Sequence, residues 1–265
     1  MFLKADFFPF KANSPYENMA IDEFLISRCL QTGVPQLRFY SWNPPGISLG
    51  KYQDAEKDIN IDACLDDKVP VVRRLTGGGA IFHINELTYS LVCREEDINC
   101  KGEPVKKTFE KLNSFIILMY KKFGLNPSYG VYARPEENHG QRAGFCFSGT
   151  EEYDIIIDGK KIGGNAQARV KGLIFQHGSL PLAGSEEHEK YFKCPVKGNN
   201  YTCLNALLKR QIAPAEAAAN MAAAFMETFN CELNPADFTM EEKKEILKLL
   251  TGRYALLKWN MEGKL

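Results

Sequence analysis

The order of strand-like and helix-like segments is the feature of this sequence that most restricts its fold. Short runs rich in β-branched and aromatic residues, such as Thr88–Cys93, follow irregularly on amphipathic stretches, such as Pro104–Phe123. This order lacks the regular strand–helix–strand alternation that builds a parallel sheet. We therefore predict an α+β fold, in which mostly antiparallel or mixed sheets are flanked by helices.

Local capping signals predict where several helices begin and end. Ser14 is followed by Pro15 and Glu17, an N-cap serine with a proline at the first helical position, and Gly33 stops the pattern. Neither a low-complexity linker nor an internal repeat is visible, so we predict a single catalytic domain over 1–265, with a small helical appendage over 236–265 as an open alternative. After Gly184 the predicted helices are Asn205–Gln211, Pro214–Phe229 and Glu242–Leu250.

A hairpin is predicted in the middle of the chain. Asp158-Gly159 separates Tyr153–Ile157 from Lys160–Ile162, which is typical of a type I′ turn between two strands. We expect Leu173–His177 to continue the same sheet.

The charge balance excludes several classes of function. Lys plus Arg and Asp plus Glu each number 33, so no net charge draws the chain to nucleic acid or anionic lipid. The longest apolar run, Phe115–Tyr120, is far shorter than the roughly 20 residues of a membrane-spanning helix. We therefore expect a cytoplasmic protein with neither a nucleic-acid nor a membrane partner.

The cysteines are predicted to be reduced, and one of them is a candidate nucleophile. No two of the eight stand in a C-x2-C or C-x4-C relation, which argues against structural zinc and a disulfide scaffold. Most should be small core residues. Cys146 is the exception, because it precedes the hairpin that carries Lys161, and a nearby ammonium lowers the pKa of a thiol.

Two glycine-rich segments are candidate binding sites. Arg73–His83 contains Gly77, Gly78 and Gly79, so a ligand can lie directly against the backbone, but no Gly-Lys-Ser or Gly-Lys-Thr makes it a P-loop. Asp158–Gln167 places Lys161 just before Gly163 and Gly164. A flexible turn and a solvated hairpin lysine are the simpler interpretations of each segment taken alone.

Together the segments resemble the lipoate/biotin protein ligase superfamily, and within it the cysteine-dependent octanoyltransferases common in Gram-positive bacteria. Their order and spacing carry the resemblance over most of the chain. They are Asn13–Glu23, Leu37–Pro44, Ile47–Gly50, Arg73–Gly79, Glu86–Ser90, Cys146-Phe147, Lys161–Gln167, Gln176–Leu180, Arg253–Ala255 and Trp259-Asn260.

The resemblance implies a ligase-like catalytic domain and a two-step acyl transfer. Cys146 would take an octanoyl group from acyl carrier protein, and a lysine of a lipoyl domain or of a glycine cleavage H-type protein would then accept it. Lys161 would stabilise the developing oxyanion. No metal, ATP or nicotinamide cofactor is implied. The acyl pocket would be lined by Arg73, Gly77, Gly78, Gly79, His83, Gly163, Gly164 and His177.

Other functions remain open at this point. The first is an ATP-dependent lipoate ligase, which would not need Cys146. The second is an amidotransferase between lipoyl-bearing proteins, and the third is a non-catalytic acyl or carrier-protein binding module. A local basic face formed by Arg142, Lys160, Arg169 and Lys171 is a further hypothesis, since carrier proteins and lipoyl domains are typically acidic.

Overall fold

The computed structural model describes residues 4–133, 152–184, 188–193 and 200–264. Within these ranges the chain forms twelve strands and nine α-helices. The strands are β1 (Lys4–Asn13), β2 (Gln36–Trp42), β3 (Gly46–Leu49), β4 (Val71–Arg73), β5 (Ile81–His83), β6 (Glu86–Arg94), β7 (Ser128–Tyr129), β8 (Ile155–Ile157), β9 (Lys160–Lys161), β10 (Gly164–Val170), β11 (Leu173–Pro181) and β12 (Glu232–Pro235). The helices are α1 (Pro15–Thr32), α2 (Ala55–Asp58), α3 (Ile61–Asp66), α4 (Val105–Lys122), α5 (Gly130–Ala133), α6 (Leu204–Leu208), α7 (Pro214–Phe229), α8 (Met240–Leu249) and α9 (Leu257–Glu262).

The largest sheet is mixed, with strand order β10-β11-β6-β2-β1-β12. Strands β10, β11, β6 and β2 pair antiparallel, whereas β1 pairs parallel with both β2 and β12. This confirms the α+β prediction. Strand β1 was not predicted, because the charges and the proline in Lys4–Lys11 hide its pattern and its partners are distant in sequence.

The central hairpin is confirmed, but its predicted continuation is wrong. Asp158 and Gly159 both have positive φ, 49° and 72°, as a type I′ turn requires. Strands β8 and β9 form a small sheet with β7, however, whereas β11 belongs to the largest sheet. The chain changes sheet at Gly163, whose φ is 85°. This turn separates strands that are neighbours in sequence.

Helices and a second small sheet cover the two faces of the largest sheet. Apolar side chains of α4 and α7 pack on one face, where Phe115 contacts Tyr89 and Phe225. Helix α1 and the β4-β3-β5 sheet cover the other face. Helix α1 begins as predicted, with Ser14 as N-cap: its hydroxyl accepts from the backbone N–H of Glu17, and the Glu17 carboxylate accepts from the backbone N–H of Ser14.

The C-terminal helices pack against the rest of the chain. Helix α8 opens with the capping box of Thr239 and Glu242, and an ion pair joins Glu242 to Arg28 of α1. Farther on, the indole N–H of Trp259 donates to the carbonyl of Arg73, at 3.1 Å. The assignment of 1–265 to one domain remains a prediction.

Candidate active site

The alternation of side chains along β6 and β11 places polar groups on one face of the largest sheet. Glu86, Thr88 and Ser90 alternate with apolar residues on β6, and His177 and Ser179 lie two residues apart on β11, so they share one face of that strand. All five are at least nine-tenths buried, so each needs a partner inside the protein. These partners come from α1, from β2 and from the β4-β3-β5 sheet.

Glu86 is the centre of one buried network. Its carboxylate accepts hydrogen bonds from His83 Nδ1 at 2.7 Å, from Thr88 Oγ1 at 2.5 Å and from the hydroxyl of Ser179. The other ring nitrogen of His83 lies 2.7 Å from Ser48 Oγ. His83, one of the predicted pocket residues, is therefore buried at this sheet face with both ring nitrogens in hydrogen bonds.

Asp22 of α1 is the centre of a second buried network. Its carboxylate accepts from Arg38 and from the hydroxyls of Tyr40 and Ser90, each at 2.8 Å, and lies 3.8 Å from His177 Nδ1. Burial alone would raise the pKa of Asp22, but the bond to His177 and the charge of Arg38 hold that pKa below its usual value.

His177 joins this second network to the glycine loop. Its Nε2 lies 2.6 Å from Thr76 Oγ1, directly before Gly77. Burial lowers the pKa of His177 below its usual value, and the nearby carboxylate of Asp22 only partly opposes that shift. A neutral imidazole is therefore held between α1 and the loop.

The glycine loop, residues Thr76–Gly79, is shaped by Arg74. The guanidinium donates to the carbonyl oxygens of Gly77 and Gly79, at 2.7 and 2.8 Å, and to that of Ser48 at 2.9 Å. Gly78 has a φ of 90°, which only glycine adopts without strain. Because Arg74 occupies two of the loop's carbonyl oxygens, the loop is held in one conformation.

The second glycine cluster, Gly163-Gly164, lies against β11. A Cβ on Gly163 would be 2.4 Å from the carbonyl oxygen of Ser179, so no side chain fits there. Gly164 is the strand partner of Ser179. Ser179, which contacts both glycines of the cluster, also donates a hydrogen bond to Glu86.

Lys161 is buried and paired with Asp154, contrary to what a solvated hairpin lysine would show. Its Nζ lies 2.7 Å from Asp154 Oδ2, and the two side chains are only 3% and 8% exposed. The backbone of Lys161 also bonds to Asn200 and Thr202. Buried lysines are rare unless they are paired, and here Asp154 supplies the partner.

Arg73 occupies a different place from the other predicted pocket residues. Its guanidinium donates to carbonyl oxygens of the 50–53 turn and of α9. In these contacts Arg73 joins the C-terminal helix to β4, rather than facing the two glycine clusters.

The candidate nucleophile Cys146 lies outside the described residues, as does Cys194. The six described cysteines are all buried and free. Burial raises the pKa of Cys29 to about 12 and the pKa values of Cys64 and Cys231 to about 11. This agrees with the prediction that most cysteines serve packing.

The proposed basic face is divided by the structure. Lys171 is in the turn at the far end of β10, roughly 20 Å along the strand from Gly164. Arg169 is paired with Glu95 at 3.2 Å. Lys160 lies on β9, and Arg142 is outside the described residues. Of the three that the structure describes, Lys160 is the one that adjoins Lys161.

Sequence reasoning assigned no role to four charged residues at this site: Asp22, Arg74, Glu86 and Asp154. A usable signal was present for three of them, since Asp22, Glu86 and Asp154 lie within or beside segments predicted to be a helix or a strand. A charged residue at such a position requires a buried partner.

In the ranges that the structure describes, no group of three metal-binding side chains is placed to hold an ion. A search of the same ranges finds no helix that is long and apolar enough to cross a membrane.

The chain belongs to the family described as the lipoyl protein ligase A/B catalytic domain, which it matches over residues 14–226. Octanoyltransferase LipM of Exiguobacterium is 34% identical over 263 residues, covering 94% of this chain and 95% of that protein. Octanoyltransferase LipM of Bacillus anthracis is 33% identical, covering 93% and 94% of the two chains. The predicted superfamily is therefore confirmed.

Solved structures of this class share the fold. A crystal structure of lipoate-protein ligase A bound with ATP has a TM-score of 0.82 at 21% identity, covering 98% of this chain and 99% of that chain. The bipartite lipoate protein ligase of Thermoplasma acidophilum has a TM-score of 0.77 at 20% identity, covering 98% and 97%. The predicted ligase-like architecture is thus confirmed.

Proposed function

We propose that this chain is an octanoyltransferase. It moves an octanoyl group from acyl carrier protein, through a thioester on Cys146, to a lysine of a lipoyl domain or of a glycine cleavage H-type protein. The observation that carries the proposal is the buried Lys161, which is held by Asp154 and lies two residues before Gly163, a position where no side chain fits. The octanoyltransferases to which the chain is similar over nearly its full length support the choice of acyl group.

The chemistry needs a thiolate and two exchanges at one carbonyl carbon. The Cys146 thiolate attacks the octanoyl thioester, a new carbon–sulfur bond forms, and the bond to the carrier's sulfur breaks, so the carrier leaves as a thiolate that takes a proton from water. The neutral amine of the acceptor lysine then attacks the acyl-enzyme. An amide bond forms, the Cys146 sulfur leaves, and the amine loses its proton to water. Each tetrahedral intermediate carries an oxyanion, which the Lys161 ammonium stabilises.

The described residues provide the walls for the acyl chain in this proposal. The glycine loop with His83 forms one wall, and Gly163, Gly164 and His177 form the other. Arg73 acts here by holding the 50–53 turn beside the loop, through the carbonyl contacts of its guanidinium.

The decisive experiment is incubation with octanoyl-acyl carrier protein in the absence of ATP, followed by intact-protein mass spectrometry. We expect one octanoyl group on the protein, which hydroxylamine removes and Cys146→Ala abolishes. Cys194→Ala is the matched control and should still be acylated. Modification of a lipoyl domain that requires ATP and survives Cys146→Ala would instead establish a ligase, and binding without any transfer would establish a binding module.

Replacing Lys161 tests the second catalytic residue. Lys161→Gln should slow acyl-enzyme formation by at least about 100-fold, because a donor to the oxyanion is lost. Lys160→Gln, one residue away on the same strand, is the control and should stay within about twofold of the unmodified protein. Quenched time courses of acyl-enzyme formation measure both rates. Equal rates in the two variants would show that Lys161 does not take part in the mechanism.

A further inference from the structure

We propose that Glu86 is a positioning residue that sets the separation of the two glycine clusters, Thr76–Gly79 and Gly163-Gly164. That these clusters form the two walls of an acyl site rests on the function proposed above. The hydrogen bonds that join them are a property of the fold, and they can be tested separately from the activity.

The first arm runs from Glu86 towards the glycine loop. Glu86 accepts from His83 Nδ1 at 2.7 Å, and His83 Nε2 lies 2.7 Å from Ser48 Oγ. Ser48 Oγ in turn lies 3.2 Å from Nη1 of Arg74. Arg74 donates to the carbonyl oxygens of the glycine loop. The side chains of His83, Ser48 and Arg74 therefore connect Glu86 to the loop.

The protons of this arm all point towards Glu86. A carboxylate only accepts, so His83 donates from Nδ1, and Nε2 of the neutral imidazole then accepts from the Ser48 hydroxyl. The guanidinium of Arg74 only donates, which leaves the Ser48 hydroxyl proton free for His83. Each hydrogen bond therefore has its donor on the side of Arg74 and its acceptor on the side of Glu86, and this order restricts the orientation of each side chain relative to the next.

The second arm runs from Glu86 to the other glycine cluster in one step. The hydroxyl of Ser179 donates to Glu86 Oε2. Ser179 is the strand partner of Gly164, and its carbonyl oxygen occupies the space where Gly163 would carry a Cβ. A movement of Ser179 therefore moves the backbone of the second cluster.

A third contact restricts the imidazole in the first arm. Trp42 stacks on His83 with ring centres 3.8 Å apart and planes within 5°. The indole N–H donates to Thr88 Oγ1 at 2.9 Å, and the Thr88 hydroxyl donates to Glu86 at 2.5 Å. His83 is thus hydrogen bonded to the Glu86 carboxylate directly, and Trp42 is connected to the same carboxylate through Thr88.

Glu86 therefore receives donors from β5, β6 and β11, which belong to two different sheets. An apolar residue at this position would leave three buried donors without an acceptor. The contact between Thr76 Oγ1 and His177 Nε2 would remain, but the three groups around Glu86 would lose their shared acceptor, so the position of the two sheets would be specified less narrowly.

The test measures backbone hydrogen exchange by mass spectrometry in the full chain. In Glu86→Met, a near-isostere that cannot accept, we expect protection of both segments, 76–79 and 163–164, to fall about tenfold. Glu86→Gln keeps an acceptor oxygen, so the loss should be about threefold or less. Helix α7, which is remote from the network, is the internal reference and should exchange as before.

Unequal responses would contradict the proposal. Loss of protection at one cluster only, or an equal loss in α7, would show that Glu86 does not couple the two walls. If Glu86→Met does not fold, Ser48→Ala and Ser179→Ala carry the test, since each removes one hydroxyl from one arm. Under the proposal, each of them loosens the cluster of the opposite arm as well, and an effect limited to its own arm would overturn it.

Kinetics then connect the geometry to transfer. Ser48→Ala and Ser179→Ala should each raise the KM for octanoyl-acyl carrier protein and change kcat little. In the double variant, the fold-change in KM should differ from the product of the two single fold-changes by about threefold or more. Ser114→Ala, which removes a hydroxyl on α4, is the control and should combine with Ser179→Ala multiplicatively. A multiplicative result for Ser48 and Ser179 would overturn the coupling. Absence of octanoyl transfer in the unmodified protein would refute the proposed function instead, and the exchange experiment would still decide the role of Glu86.

Discussion

The two faces of the largest sheet come from the same strands but are stabilised in different ways. On β6, Leu87, Tyr89 and Leu91 pack against α4 and α7, whereas Glu86, Thr88 and Ser90 face α1 and the small β4-β3-β5 sheet. Apart from the amide of Gln176, which donates to Tyr89 and Asn113, the first face contributes mainly through apolar burial, which is strong but not directional. The second contributes hydrogen bonds that hold each group at one position, although they add little net stability. The candidate site lies on this second face, where hydrogen bonds fix the positions of the side chains.

Breaking the polar face should have the largest effect on stability. Arg38→Met leaves the buried carboxylate of Asp22 without its cationic partner, and we expect a loss of about 3–5 kcal/mol in the free energy of unfolding. Denaturant titration measures this loss. The double variant Arg38→Met/Asp22→Asn removes both charges and should recover part of it, and a double variant as unstable as Arg38→Met would contradict this account.

A conservative change on the apolar face should have a smaller effect. Ile116 is fully buried on α4, and Ile116→Val should lower the free energy of unfolding by about 0.5–1.5 kcal/mol, since only one methylene is lost. The same titration measures it. Octanoyl transfer should be unchanged by this variant, because α4 lies on the opposite side of the sheet from the site, and a large loss of transfer would show that the two faces are not independent.

The smallest expected effect is the pH dependence that the polar face introduces. Burial lowers the pKa of His177 in the folded chain below its ordinary value of 6.5. Below that pH the unfolded chain therefore binds more protons at this histidine than the folded chain does, so stability rises with pH and falls on acidification. Thermal unfolding between pH 7.5 and pH 5 should show a steeper loss in the unmodified protein than in His177→Gln. Parallel losses would show that His177 does not contribute.

Local signals predicted most of the helices and the central hairpin. The capping boxes at Ser14 and Thr239 and the Asp158-Gly159 turn depend on residues within four positions of one another, so no distant contact can overrule them easily. Strand β1 and the sheet membership of β11 could not be predicted in the same way. Both depend on pairing between segments that are far apart in the sequence.

The candidate site was predicted in outline only. The glycine clusters, Lys161 and His177 stand out as residue types in a pattern. The residues that hold these groups in place do not stand out in the sequence. Nothing there relates Asp154 to Lys161, or Glu86 to both Ser48 and Ser179. Those relations exist only after two sheets have been packed together.

The sequence by itself determined the family of this protein, most of its helices, its central hairpin and the residue types available for chemistry. The tertiary structure decided which charges are buried, which of them are paired, and which glycine clusters are linked. The physical reason is that capping, turn geometry and side-chain alternation act over a few residues. A buried charge, in contrast, is tolerated only where the fold supplies an opposite charge or a donor from elsewhere in the chain.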